Sequence, residues 1–63
     1  MKVAAAMRLL ERDGWELFRT RGSHRQYRHA ERAGKVTIPG KPSDTLHPKT
    51  LASIFRQAGI KKP

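Results

Sequence analysis

Residues 15–30 read WELFRTRGSHRQYRHA, and this stretch has the pattern of a β-hairpin. Two strand-like runs, 15–21 and 24–30, flank the pair Gly22-Ser23. Glycine at the first position of a two-residue loop is typical of a type II′ turn, whose twist suits two antiparallel strands. The pattern therefore predicts a hairpin in which Arg21 pairs with His24 across the turn.

The register of this hairpin predicts which side chains share a face of the sheet. Counting back from the turn gives three further pairs: Thr20 with Arg25, Arg19 with Gln26, and Phe18 with Tyr27. Because side chains alternate between faces, Phe18 and Tyr27 should form a buried cross-strand pair. Leu17 would then lie among polar residues on the opposite face, where it fits poorly. A β-bulge near Leu17, or cover by a partner, would account for it.

Helical patterns lie on both sides of the hairpin. Apolar residues recur at i, i+3, i+4 and i+7 in two runs: Val3, Ala6, Met7 and Leu10, and later Leu51, Ile54, Phe55 and Ala58. Gly14 and Gly59 follow these runs at positions where a left-handed residue ends a helix, and Ile60 can fold back onto Phe55. His47 and Pro48 suit the N-cap and the first turn of the second helix.

A third, short strand is predicted over residues 35–39, in which Val36 and Ile38 alternate toward the core. The chain therefore reads as helix, hairpin, strand, loop and helix. This order predicts the α+β class, with α-β-β-β-α topology and two helices on one face of a three-stranded antiparallel sheet. A chain of 63 residues forms one domain, 1–63.

The sequence carries a large positive charge. Fourteen Lys and Arg residues outweigh five Asp and Glu, which gives a formal net charge of +9. Residues 19–35 contain six basic residues and one acidic residue. Such an excess attracts polyanions, and nucleic acid is the first candidate. An anionic membrane surface, an acidic protein partner or a role in solubility remain open on charge alone.

Several classes of protein are not expected from this composition. The chain has no cysteine, which rules out disulfides and a cysteine-ligated zinc site and suits the cytoplasm. No apolar run approaches the ~20 residues that span a bilayer, so we expect no membrane association. The three histidines lie far apart without a carboxylate cluster, so no metal site is expected either.

One histidine stands out as a candidate catalytic residue. The predicted open face carries polar and basic side chains together with one imidazole: Arg19, Arg21, His24, Gln26, Arg28, Lys35 and Thr37. Imidazole transfers protons near neutral pH, and guanidinium groups stabilise charge on phosphate oxygens. A solvated basic face is the simpler alternative. His29 falls on the other face and is interpreted as a packed or edge residue. Ser23 is interpreted as a turn residue rather than a nucleophile.

Four short motifs, taken in order, resemble the HicA family of toxins, formerly grouped as YcfA-like proteins. They are Leu10 with Asp13-Gly14-Trp15; Gly22-Ser23-His24 with Tyr27; Val36-Thr37-Ile38-Pro39; and Thr50-Leu51 through Ile54 to Gln57-Ala58-Gly59-Ile60. Each motif alone is weak, but the ordered set covers nearly the whole chain.

The resemblance implies a fold like that of a double-stranded-RNA-binding domain and a specific activity. It implies a cytoplasmic mRNA-cleaving toxin, an endoribonuclease that needs no cofactor and is inhibited by a HicB-type antitoxin. The family's catalytic histidine follows Gly-Ser in the hairpin and maps onto His24. The expected RNA- and phosphate-binding residues are Arg19, Arg21, Arg25, Gln26, Arg28 and Lys35.

Two positions depart from the family pattern. Many relatives carry a second histidine directly after the first, where this chain has Arg25, and another after the proline of the third strand, where it has Gly40-Lys41-Pro42. A single histidine would then act as the base, with water or an arginine-polarised phosphate completing the proton transfer. The alternative function is a non-catalytic RNA-binding module, in which Lys49 at the start of the second helix would meet phosphate. A domain that binds an acidic protein is a third possibility.

Overall fold

The computed structural model describes residues 1–60, and it confirms the predicted α+β class and α-β-β-β-α order. In chain order the elements are α1 (Val3–Arg12), β1 (Trp15–Arg21), β2 (His24–His29), β3 (Val36–Ile38) and α2 (Pro48–Ala58). The strands form one antiparallel sheet in the order β1-β2-β3. Both helices pack on one face of this sheet, and the other face is open.

The helix ends follow the capping signals in the sequence. The ring nitrogen Nδ1 of His47 accepts the backbone N–H of Lys49 at 3.1 Å, which confirms His47 as the N-cap of α2. Gly59 ends α2 with φ +70°, and the N–H of Ile60 donates back to the carbonyl of Phe55 at 2.9 Å. That bond is the signature of a Schellman motif, as the pattern predicts.

The loop after β3 supplies the N-terminal bonds of α1. The N–H of Val3 donates to the carbonyl of Asp44 at 2.8 Å, and that of Ala4 donates to the carbonyl of Pro42 at 3.0 Å. These loop carbonyls satisfy backbone donors that a helix N-terminus leaves free. The loop is thereby held against α1, which fixes the position of Gly40 at its start.

The core lies between the helices and the sheet. Trp15, Tyr27, Val36 and Ile38 are buried on the sheet side, against buried residues of both helices and Leu46. The Tyr27 hydroxyl has no hydrogen-bond partner among residues 1–60. Burial, and to a smaller degree the charge of Glu11, raises the pKa of this phenol, although Arg25 opposes the shift. Tyr27 therefore stays neutral at physiological pH. The stability that depends on its neutral form is present below about pH 10 and is lost as the pH rises from there through the raised pKa of the folded state.

The hairpin register is confirmed near the turn and shifts farther along β1. Arg21 pairs with His24, Thr20 with Arg25, and Arg19 with Gln26, but the next residue of β2, Tyr27, pairs with Leu17. Phe18 is therefore the extra residue of a β-bulge. The predicted Phe18–Tyr27 core pair is wrong, and a bulge beside Leu17 is confirmed.

The bulge moves Phe18 to the open face. In classic bulges the two residues opposite one partner point to the same side, and Arg19 already lies on the open face opposite Gln26. The ring of Phe18 is half-buried, and two cations lie over it: the Arg28 guanidinium carbon is 5.6 Å and Lys35 Nζ is 5.5 Å from its centroid. Leu17 now lies in register with Tyr27 but remains 47% exposed.

Candidate active site on the open face of the sheet

The open face is the side of the sheet that no helix covers. Its side chains come from all three strands and from the residue before β3: Glu16, Phe18, Arg19, Arg21, His24, Gln26, Arg28, Lys35 and Thr37. His24 is the first residue of β2, directly after the Gly22-Ser23 turn, and it pairs with Arg21. Both side chains are exposed. An imidazole beside a guanidinium is thus accessible to a ligand that lies along the sheet.

A polar row crosses the sheet next to His24. Gln26 pairs with Arg19 on one side and with Thr37 on the other. Paired residues in an antiparallel sheet have Cα atoms about 4.5–5.5 Å apart, so these three side chains form a continuous polar surface. Gln26 and Thr37 are half-buried there, whereas Arg19 is exposed. This row can donate hydrogen bonds to a phosphate or to a base edge.

The positive charge of this face is not neutralised by ion pairs. Within residues 1–60, the one salt bridge joins Arg32 to Asp13, away from the open face. Glu16 lies across from Arg28 in the register, but it forms no ion pair with it. The cations of the open face therefore remain available to an anionic ligand, and guanidinium groups bind both phosphate and carboxylate through paired hydrogen bonds.

Arg25 is the expected phosphate ligand that the structure does not place with the others. It shares the helix-side face of β2 with Tyr27 and is half-buried. Its guanidinium donates to the carbonyl of Gly40 at 2.6 Å. This bond ties β2 to the loop after β3, so Arg25 acts in the framework beneath the site rather than on the open face.

The other two histidines have structural roles. His29 lies on the helix side, where Nε2–H donates to the carbonyl of Asp13 at 2.9 Å and Nδ1 accepts the N–H of Glu31 at 3.0 Å. This assignment follows because a carbonyl only accepts and a backbone N–H only donates. The Trp15 ring also packs edge-on at 5.2 Å from the His29 ring. The interpretation of His29 as a packed residue is confirmed.

His24 is thus the one histidine of residues 1–60 whose ring takes part in no hydrogen bond within the chain. In the same range, no three His, Asp or Glu side chains come together as metal ligands. None of the helices described is long and apolar enough to cross a membrane.

Comparison with known families assigns the chain. A family model described as the HicA toxin of bacterial toxin–antitoxin systems matches residues 5–60, from the first turn of α1 to the end of α2. The chain belongs to the HicA toxin family. The match confirms the resemblance seen in the sequence motifs and includes every residue of the open face. No curated protein matches the sequence.

Membership gives this HicA chain a biological role. It is the toxin of a toxin–antitoxin pair, and it therefore has an antitoxin partner. The open face of this toxin combines accessible cations with one accessible imidazole. The sequence alone missed two components of this face, Glu16 and Phe18, although the poor fit of Leu17 was the signal of the bulge that brings them there.

Proposed function

We propose that this HicA toxin is an mRNA-cleaving endoribonuclease in which His24 is the catalytic base. The observation that carries the proposal is the exposed imidazole of His24 beside Arg21 on a face rich in unpaired cations. The phosphates of RNA would bind the open-face cations and place one phosphodiester next to His24. Arg25 is left out of this set because its guanidinium is engaged by Gly40.

The reaction uses a nucleophile that RNA itself supplies. Neutral His24 takes the proton of a ribose 2′-OH as O2′ attacks the adjacent phosphorus. The P–O2′ bond forms, the P–O5′ bond breaks, and a 2′,3′-cyclic phosphate is left on one product. The leaving O5′ takes a proton from water, and His24 later returns its proton to solvent. Arg19 and Arg21 stabilise the charge that develops on the phosphorane. This chemistry requires no metal ion or cofactor.

The same face suggests how the toxin is inhibited. An antitoxin of the HicB type that covers the open face would exclude RNA and bury His24 in one step. The cations of the open face, which form no ion pair within residues 1–60, would attract an acidic surface of such an antitoxin. Because the proposed substrate is mRNA, we place the activity in the cytoplasm.

Removal of His24 tests the proposal. Parent protein and His24→Ala are incubated with a long single-stranded RNA without added metal, and products are followed on a gel. We expect His24→Ala to cleave at least about 100-fold more slowly, which is the usual contribution of a general base. His47→Ser is the matched control, since it removes an imidazole from α2 but keeps a good N-cap. It should cleave like the parent.

Two results would contradict the proposal in different ways. Equal cleavage by the parent and His24→Ala would remove His24 from the mechanism. Tight RNA binding by the parent without any cleavage would instead favour the non-catalytic RNA-binding module. Expression in cells gives a second readout, in which the parent arrests growth and His24→Ala does not.

A further inference from the structure

We propose that Phe18, Arg28 and Lys35 form a nucleotide-binding subsite on the open face, separate from His24. The ring of Phe18 would stack against one base of single-stranded RNA, while Arg28 and Lys35 bind the flanking phosphates. This proposal rests on the proposed function, because that function identifies the ligand as RNA. It adds the position at which a base, rather than the backbone, is held.

Phe18 belongs neither to the strand pairing nor to the hydrophobic core. The β1–β2 ladder has six pairs, and Phe18 takes part in none of them. The other three aromatic side chains of residues 1–60, Trp15, Tyr27 and Phe55, are all buried in the core. Phe18 alone is carried out of the core by the bulge and left partly exposed on the cationic face. Bulges commonly redirect a side chain next to a functional site.

Arg28 and Lys35 lie over the Phe18 ring in contacts that are weak enough to be exchanged for phosphate. A cation–π contact at an exposed site is worth about 0.5–1 kcal/mol. That is close to thermal energy, so Arg28 and Lys35 can leave the ring for a stronger phosphate contact. Stacking of a base on an aromatic ring is worth about 1–3 kcal/mol. Opening both contacts costs about 1–2 kcal/mol, and stacking together with the new phosphate contacts of Arg28 and Lys35 would offset this cost.

The subsite and His24 lie close enough together for one RNA strand to reach both. His24, Gln26 and Arg28 lie on the same face of β2, and a strand rises about 3.3 Å per residue. The subsite is thus about 13 Å from His24, which corresponds to no more than about four stacked nucleotides. Unpaired RNA with exposed bases could run along β2 and reach both positions. The subsite would then bias where the chain is cut by selecting a base beside the cleavage position.

The test measures RNA binding in a His24→Ala background, so that the RNA stays intact. The probe is a short single-stranded oligoribonucleotide, together with a series in which one abasic nucleotide replaces each position in turn. We expect Phe18→Leu to weaken binding of the intact probe about tenfold. Leu17→Ala is the matched control, because it shortens a more exposed apolar side chain beside the bulge. It should bind like its background.

The abasic series identifies the stacked base. At one position of the probe, an abasic nucleotide should weaken binding to the His24→Ala protein about tenfold. The same abasic probe should bind the His24→Ala, Phe18→Leu double variant about as well as the intact probe does. Phe18→Tyr, which keeps a ring, should retain the binding of the background and the same abasic profile. Even if Phe18→Leu fails to fold, the abasic series and Phe18→Tyr can be measured.

Either of two outcomes would overturn the subsite. One is binding by folded Phe18→Leu within twofold of its background, and the other is an abasic series with no position-specific loss. These failures are distinct from failure of the proposed function, which the cleavage assay reports. A protein that binds through Phe18 but does not cleave would keep the subsite and lose the catalytic assignment.

Discussion

At the residue scale, Gly14 joins α1 to β1 at a position where a side chain would collide with His29. Its backbone has φ +96°, and a Cβ atom there would lie 2.6 Å from Nε2 of His29. The His29 ring cannot move away freely, since it is bonded to Asp13 and Glu31 and packs on Trp15. Gly14 is therefore constrained by its conformation and by this contact together.

We expect Gly14→Ala to destabilise the protein more than a second glycine substitution chosen for comparison. Gly34 has a similar φ of +87°, but a Cβ there would meet no atom within 4 Å. A side chain in the left-handed region costs about 1–2 kcal/mol. The free energy of unfolding of both variants should fall by this amount. The free energy of unfolding of Gly14→Ala should fall by about 1 kcal/mol more, because the hydrogen bond from His29 to the carbonyl of Asp13 must lengthen or break. Denaturant unfolding measures both, and equal losses would show that the ring is not held in place.

At the element scale, alternation and turn chemistry predicted most of the sheet, but they did not predict the faces of Leu17 and Phe18. The Gly22-Ser23 turn correctly set the first three pairs of the hairpin. Beyond them, counting by twos assumes that no residue is inserted, so a single bulge reversed the faces predicted for Leu17 and Phe18. Alternation does place Arg25 on the helix side, but its bond to Gly40 depends on the path of a loop, which no strand pattern predicts.

Deletion of Phe18 tests whether the bulge is dispensable for folding. All six pairs of the β1–β2 ladder can form without this residue, and Leu17 and Arg19 then alternate as in a regular strand. We expect the deletion to cost at most about 2 kcal/mol, from the two lost cation–π contacts. Deletion of Gln26 is the control, since β2 pairs on both sides and a one-residue shift would turn Tyr27 out of the core. Thermal melting should show a folded Phe18 deletion and an unfolded Gln26 deletion; loss of folding in both would make the bulge a structural requirement.

At the scale of the whole molecule, the question is whether the net charge of +9 or the arrangement of the cations binds RNA. Basic residues lie on both sides of the protein: Arg19, Arg21 and Arg28 on the open face, and Arg8 and Arg56 on the helices. If the total charge of the protein attracts the RNA, the loss of any one of these arginines should weaken RNA binding equally. A docked RNA would respond only to the loss of a cation that contacts phosphate.

Arg21→Gln and Arg8→Gln separate these cases, because each lowers the net charge by one and both side chains are exposed. RNA affinity is measured for each in a His24→Ala background over a range of salt concentrations. Each phosphate contact to a single strand contributes about −0.7 to the slope of log K against log salt. We expect Arg21→Gln to reduce the magnitude of the slope by about that amount, and Arg8→Gln to leave the slope unchanged. Equal slopes for the two variants would mean that the overall electrostatic field of the protein holds the RNA. The open face would then not be a specific binding site.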